Sequence, residues 1–182
     1  MSDHRHTHRA QPPSAPRPRI PRSAALAVWV PLFVFLHVVV PYLIVRAMRA
    51  PTVGTAWPSG ARVAGLGLVA FGLGVVGWCL ALHVRAAPQG WELRSTPDTL
   101  LTEGPYRWSR NPVYLGVVII WLGWATFYGS IALLIIVVVG WIVLDRVVVP
   151  WEEKALRARF GQEYDRYARR LPRWLGLQRG PA

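Results

Sequence analysis

Apolar residues form four long runs along the chain, at residues 24–45, 63–84, 113–128 and 131–149. Runs of roughly 17 to 25 residues match the thickness of the hydrocarbon core of a bilayer when they are helical. Only Gly129 and Ser130 separate the last two runs, which predicts a helical hairpin. The pattern favours an all-α polytopic membrane protein with about four transmembrane helices.

The second run is rich in glycine, and small residues let membrane helices approach closely. We therefore predict that it is a packing helix. Its glycines are Gly65, Gly67, Gly72, Gly74 and Gly77.

Polar segments divide the rest of the chain. Residues 1–23 hold five prolines and five arginines with few apolar residues, which is typical of a disordered basic tail. Residues 24–182 form one predicted transmembrane domain, with polar stretches at 85–112 and 150–175. After Pro150 the spacing predicts a charged amphipathic helix that starts near Trp151. Its apolar stripe comprises Leu156, Phe160, Tyr164, Tyr167 and Leu171.

The basic residues indicate an orientation. If the amino terminus is inside, 18 of the 21 Lys and Arg residues lie on the cytoplasmic side and only Arg46, Arg49 and Arg62 lie outside. Such a bias is typical of membrane proteins, whose cytoplasmic loops are basic. We expect both termini to be cytoplasmic and the protein to lie in a bacterial-type inner (plasma) membrane.

The net charge of +12 could also suggest a nucleic-acid-binding protein. However, the basic residues flank the apolar runs instead of covering a soluble fold, so we expect anionic lipid headgroups and no nucleic acid as partners. Cys79 is the only cysteine, which excludes a disulfide framework and a cysteine metal site. We expect no metal site.

Two polar clusters flank the predicted hairpin. The first is residues 98–114, in which Gly104-Pro105 predicts a turn and Asn111-Pro112 predicts a helix start. Backbone amides at a helix start lack partners and can bind the anionic or hydroxyl groups of a ligand. The second cluster is Glu152-Glu153. Acidic residues at a helix start are also common for purely electrostatic reasons, but the hairpin predicts that both clusters lie at one membrane face.

These motifs resemble the isoprenylcysteine carboxyl methyltransferase family and the related membrane methyltransferases that act on phospholipid amines. The resemblance covers roughly residues 85–175. The motifs that carry it are Gly104-Pro105-Tyr106, Arg110-Asn111-Pro112-x-Tyr114, the apolar hairpin, and Glu152-Glu153-x-x-Leu156-x-x-x-Phe160-Gly161-x-x-Tyr164-x-x-Tyr167.

The resemblance implies an S-adenosylmethionine-dependent methyltransferase inside the bilayer whose lipophilic acceptor enters from the membrane. It implies an isoprenylcysteine carboxyl O-methyltransferase-like activity, with Arg146 and Glu153 as candidate catalytic residues. The implied cofactor contacts are Asp98, Thr99, Leu100, Leu101, Tyr106, Asn111, Pro112, Val113, Tyr114 and Glu152.

Two positions differ from the pattern of this family. Asn111 stands where the family usually has His, and Asn cannot accept a proton at neutral pH. Val148 stands where enzymes acting on prenylcysteine have an Arg for the substrate carboxylate, and Arg146 is the nearest substitute. Two alternatives therefore stay open, namely a phospholipid amine N-methyltransferase-like enzyme and a non-catalytic membrane scaffold.

Overall fold

The structure, a computed structural model, describes residues 19–48, 58–86, 91–92 and 99–176. Within these ranges it is helical except for turns and one pair of two-residue antiparallel strands, in which Arg19 pairs with Glu92. The strands are β1 (Arg19–Ile20) and β2 (Trp91–Glu92). The α-helices are α1 (Arg22–Val34), α2 (Val40–Ala47), α3 (Ser59–Ala86), α4 (Pro112–Tyr128), α5 (Ile131–Val143), α6 (Val149–Phe160) and α7 (Gln162–Arg170).

The all-α prediction is thus confirmed in outline. β1 and the start of α1 fall inside segment 1–23, which we expected to lack structure, whereas residues 1–18 lie outside the described residues.

Among the described residues, three helical stretches are long and apolar enough to cross a membrane. They are Ser23–Ala47 with 25 residues, Ser59–Ala86 with 28 residues and Ile131–Phe160 with 30 residues. The helix Pro112–Tyr128 is apolar but has only 17 residues. The structure therefore supports three spans by length, and the fourth stays a prediction.

Two of these stretches contain a proline directly after a π-helical turn. The turn Phe35–Val39 precedes Pro41, and the turn Leu144–Val148 precedes Pro150. Proline lacks an N–H and its ring clashes with the carbonyl one turn earlier, so a local widening of the helix accommodates it. At the first site the carbonyl of His37 accepts a hydrogen bond from Trp124 Nε1 at 2.7 Å.

The continuity at Pro150 differs from the sequence expectation. We expected a span that ends at residue 149 and a separate amphipathic helix from Trp151, but the helix continues without a break to Phe160. It ends at Gly161, whose φ of 53° few other residues adopt, and α7 follows. The π turn absorbs Pro150, which removes the break that the proline would otherwise cause.

The predicted hairpin is present. Gly129 ends α4 with a left-handed conformation, and the side chain of Ser130 caps α5 by accepting a hydrogen bond from the amide of Leu133 at 3.3 Å. Val45 of α2, Ala125 of α4 and Leu133 of α5 then form a buried apolar cluster near the turn.

The helices α3 and α4 pack through glycines. A Cβ atom added at Gly72 would lie 2.7 Å from the carbonyl oxygen of Gly116, and one added at Gly65 would lie 2.6 Å from the amide nitrogen of Phe127. A Cβ atom added at Gly123 would lie 2.8 Å from the carbonyl oxygen of Gly65. The predicted packing role is therefore confirmed for Gly65 and Gly72.

The remaining glycines of α3 do not contribute to this contact. A Cβ atom at Gly67, Gly74 or Gly77 would have no neighbour within 4 Å.

This difference provides a matched test. Gly72→Ala should lower the free energy of unfolding in detergent by about 1–3 kcal/mol, because its methyl group forces two backbones apart. Gly74→Ala on the open face should leave stability equal or slightly higher, since alanine favours the helix. Thermal unfolding of both variants measures the difference; equal stability would exclude a tight contact between α3 and α4.

Candidate functional site

One cavity of about 740 Å³ lies between α1, α3 and the start of α4. Its volume falls in the range of roughly 300–1,000 Å³ that small-molecule and cofactor sites occupy. The apolar part is lined by Leu26, Trp29, Val30, Leu32 and Phe33 of α1, by Leu36 and His37 of the π-helical turn Phe35–Val39, and by Leu73, Val76, Gly77 and Leu80 of α3. The other part is lined by His83, Ala86, Thr99, Leu101, Tyr106, Arg110, Asn111, Pro112, Val113, Tyr114 and Glu152.

The cavity brings together most of the residues that the sequence suggested for a cofactor. Eight of them line its wall, although they come from the loop before α4, the first turn of α4 and the helix after the hairpin. Leu100 is described but is not in the wall. Asp98 lies outside the described residues.

A hydrogen bond joins the two sequence clusters. Tyr114 donates its hydroxyl to Oε2 of Glu152 at 2.8 Å, across 38 residues of chain. Tyr114 is in the first turn of α4, which begins at Pro112 and has no side-chain cap from Asn111. The amides of Val113 and Tyr114 have no carbonyl one turn earlier in the helix to bind, so the same corner of the cavity offers a carboxylate, a phenol and helix-start amides.

Tyr106 closes this corner from the side of the loop. Burial raises the pKa of Tyr106 above its usual range, so the phenol keeps its proton at neutral pH. Its backbone carbonyl accepts a hydrogen bond from the hydroxyl of Tyr167 at 2.9 Å, which links the loop to α7.

Asn111 is held by two hydrogen bonds, one from its side chain and one from its backbone amide. Its side-chain Nδ2 donates to the carbonyl of Arg173 at 3.0 Å, and its amide donates to Oγ of Ser109, also at 3.0 Å. Ser109 Oγ donates in turn to the same carbonyl of Arg173 at 3.2 Å. The side chain at this position therefore acts as a hydrogen-bond donor in the structure, and asparagine serves this purpose without a titratable group.

The two residues expected to be catalytic are not in the cavity wall. The Arg146 side chain is 79% exposed and pairs with Asp145 at 3.2 Å. Glu153 is buried on the other side of the wall, where its carboxylate contacts Nη1 of Arg110 at 2.9 Å and the guanidinium of Arg173 at 3.1 and 3.2 Å.

Three polar residues of the wall were not among the expected site residues, namely His37, His83 and Arg110. His83 binds the carbonyl of Cys79 through Nδ1 at 2.8 Å and packs edge-on against Tyr106. The three- and four-residue spacing of the cavity-lining side chains on α3 could have indicated it. Arg110 precedes Asn111 in the motif Arg110-Asn111-Pro112, so the motif itself could have indicated that Arg110 belongs to the site.

Residues 171–176, after α7, also support the cavity wall, and the sequence did not indicate this role. They form a segment, here called the strap, that crosses residues 108–111. Arg110 donates its amide to the carbonyl of Pro172 at 3.4 Å, and Gly176 donates its amide to the carbonyl of Trp108 at 3.1 Å. No periodicity marks such an irregular segment.

The site geometry can be compared with known proteins. The sequence profile described as PEMT, phospholipid methyltransferase, matches residues 61–163, which is more than half of the 182 residues. The chain belongs to the phospholipid methyltransferase family. This confirms the family resemblance, and the matched region contains most of α3, the hairpin, α6 and every cavity residue from Leu73 onward.

A second comparison identifies a similar protein whose description names no function. An uncharacterized protein of Haemophilus influenzae (strain ATCC 51907 / DSM 11121 / KW20 / Rd) is 32% identical over 63 residues, which cover 35% of this chain and 100% of that protein. No solved structure matches the chain. The family description and the long apolar helices together indicate a membrane methyltransferase.

The role of Asn111 can be tested without a ligand. Asn111→Leu removes one of the two side-chain donors to the part-buried Arg173 carbonyl and should lower the free energy of unfolding by about 0.5–1.5 kcal/mol. The change Thr102→Val at an exposed position of the same loop should have little effect. Denaturant or thermal unfolding in detergent gives both values, and an unchanged Asn111→Leu variant would mean that this bond does not hold the loop.

Proposed function

We propose that the protein transfers a methyl group from S-adenosylmethionine to a lipophilic acceptor that enters from the bilayer. One observation carries the proposal: a single cavity joins a polar corner around Glu152 and Tyr114 to an apolar arm between α1 and α3. A polar cofactor and an apolar acceptor can meet in such a space, and the family description supports methyl transfer.

The residues of the polar corner fit the cofactor. S-adenosylmethionine, when bound, supplies an electrophilic methyl group on a positively charged sulfur. The Glu152 carboxylate suits hydroxyl or cationic groups, and the amides of Val113 and Tyr114 suit a carboxylate. The ring of Tyr106 provides an aromatic surface for stacking. These residues would hold and orient the cofactor, which is most of what an in-line displacement requires.

The apolar arm fits the acceptor. Its wall along α1 and the following π-helical turn extends from Leu26 to His37, which is about 17 Å of helix. The neighbouring outer surfaces of α1 and α3 carry exposed apolar side chains that suit a lipid environment. A long apolar chain can therefore lie in the arm with its reacting group at the polar corner.

For the reacting group we propose a carboxylate, as in the isoprenylcysteine-like reaction. Arg146 is outside the cavity, but Arg110 lines it, and its Nε is buried without a hydrogen-bond partner among the described residues. The positive charge of the Arg110 guanidinium at the cavity wall would attract an anionic acceptor and orient it. A carboxylate is already ionised at neutral pH, so the transfer needs no base.

For the membrane arrangement we propose that α4 crosses the bilayer antiparallel to α3 as a fourth span. Both termini are then cytoplasmic, in an inner (plasma) membrane, and the polar corner opens to the cytoplasm. The exposed arginines of α6 and α7 then face anionic lipid headgroups, which attract basic residues at a membrane surface.

Cofactor binding is the first test. Isothermal titration of detergent-purified protein with S-adenosylmethionine should show one site, and Glu152→Gln should weaken it at least about tenfold because the carboxylate contact is lost. The exposed Glu103→Gln in the loop before α4 is the matched control and should bind normally. No binding by folded wild-type protein would refute the proposed function.

Filling the apolar arm is the second test. Gly77 lines the arm and a Cβ atom there would have no neighbour within 4 Å, so Gly77→Leu should fit the helix and occupy the space of the acceptor. We expect at least about a tenfold loss of labelled-methyl transfer to a total membrane lipid extract, with unchanged cofactor affinity. Gly74→Leu, on the open face of α3, is the control.

The same transfer assay identifies the acceptor group. A methyl ester releases its label as methanol in alkali, whereas a methylated amine retains it. Alkali-stable label would refute the carboxylate assignment but not methyl transfer. Equal activity of Gly77→Leu and wild type would exclude the arm as the acceptor site.

A further inference from the structure

The side chain of Arg173 connects groups that lie far apart in sequence. Its Nε and Nη2 contact both carboxylate oxygens of Glu153, at 3.2 and 3.1 Å, and its Nη1 contacts Oδ1 of Asp145 at 3.3 Å. The planar guanidinium matches a carboxylate in this paired geometry, which the ammonium of a lysine cannot reproduce. The strap is thereby attached to the long helix Ile131–Phe160 at two places.

Arg173 also contacts the π-helical turn. Its Nη1 lies 3.3 Å from the backbone carbonyl of Asp145. In this turn each carbonyl accepts a hydrogen bond from the amide five residues later, as the carbonyl of Leu144 does from the amide of Val149. The carbonyl of Asp145 would therefore need the amide of residue 150, but Pro150 has no N–H. Arg173 therefore supplies a donor that the helix lacks at this point.

Whereas its side chain binds the long helix, the backbone carbonyl of Arg173 binds the cavity wall. Its carbonyl accepts hydrogen bonds from Asn111 Nδ2 and Ser109 Oγ. Oε1 of Glu153, which binds Arg173, also binds Nη1 of Arg110. Asn111 and Arg110 both line the cavity, so Arg173 fixes one of them through its carbonyl and the other through Glu153.

Trp174 strengthens the same attachment. Its Nε1 donates to Oδ1 of Asp145 at 2.8 Å, and its ring packs on that of Trp141 with 4.1 Å between ring centres. The strap is thus held by an aromatic contact at the membrane side and by charged hydrogen bonds beside the cavity.

We propose that Arg173 is a positioning residue for the cofactor site: by bridging Glu153 and Asp145 it holds the strap against residues 109–111 and fixes the wall that faces the ligand. The inference depends on the proposed function for its ligand, S-adenosylmethionine. Arg173 does not itself line the cavity and is not a catalytic residue.

The variants are Arg173→Met, Arg173→Lys and the control Arg170→Met, which changes an exposed arginine in the last turn of α7. In titrations with S-adenosylmethionine we expect Arg173→Met to raise Kd about tenfold with an unchanged number of sites per protein. Arg173→Lys should recover part of the affinity, and Arg170→Met should bind as the wild type does. A merely structural role would instead lower the number of sites at constant Kd, and this result would overturn the proposal.

Hydrogen exchange tests the same inference without a ligand. The amides of Arg110 and Asn111 bind Pro172 and Ser109, so exchange in residues 106–112 should be slow in the wild type and at least about tenfold faster in Arg173→Met. Exchange in α3 and α4 should not change. Unchanged exchange at 106–112 would overturn the proposal even if the wild type binds no S-adenosylmethionine; a wild type that fails to bind, with the expected exchange pattern, would refute only the proposed function.

Discussion

The direct backbone contact between α3 and α4 is the constraint on which the rest of the structure depends. Lipid chains are as apolar as leucine, so burial of apolar surface does not drive helices together within a bilayer, and close packing must do so. The glycines at 65, 72, 116 and 123 allow this approach. Because α3 carries one wall of the cavity and the start of α4 carries another, their register sets the distance between the apolar arm and the polar corner.

Two consecutive glutamates illustrate how far sequence reasoning reaches. The family motif placed Glu152 and Glu153 at one site, and the structure does bring both to the junction of α4 and α6. Successive residues of an α-helix point about 100° apart, however, so Glu152 faces the cavity and Tyr114, whereas Glu153 faces Arg110 and Arg173. Pattern alone could not assign the two directions, because they depend on the rotation of a helix whose course past Pro150 the sequence did not disclose.

The predictable features are those with local chemical causes. Apolar runs predicted the long helices, Gly129-Ser130 predicted the hairpin turn, and Asn111-Pro112 predicted the start of α4. The cluster of Arg110, Asp145, Glu153 and Arg173 has no such cause, since its successive members are 8 to 35 residues apart in sequence. Its two carboxylates and two guanidinium groups come together only when the chain folds. A count of basic residues on each side of the membrane could therefore show only how the arginines orient the chain, not these ion pairs.

The unbroken helix Ile131–Phe160 has a mechanical consequence. Its 30 residues are about 45 Å long, which exceeds the roughly 30 Å hydrocarbon thickness of a bilayer, and Glu152 follows the apolar run 131–149 of this helix. The apolar part of this helix, residues 131–149, is about 28 Å long, so a thinner bilayer would cause the helix to tilt. Tilting would move Glu152 relative to Tyr114 on the shorter neighbouring helix, and the lipid composition of the membrane would then affect the shape of the polar corner.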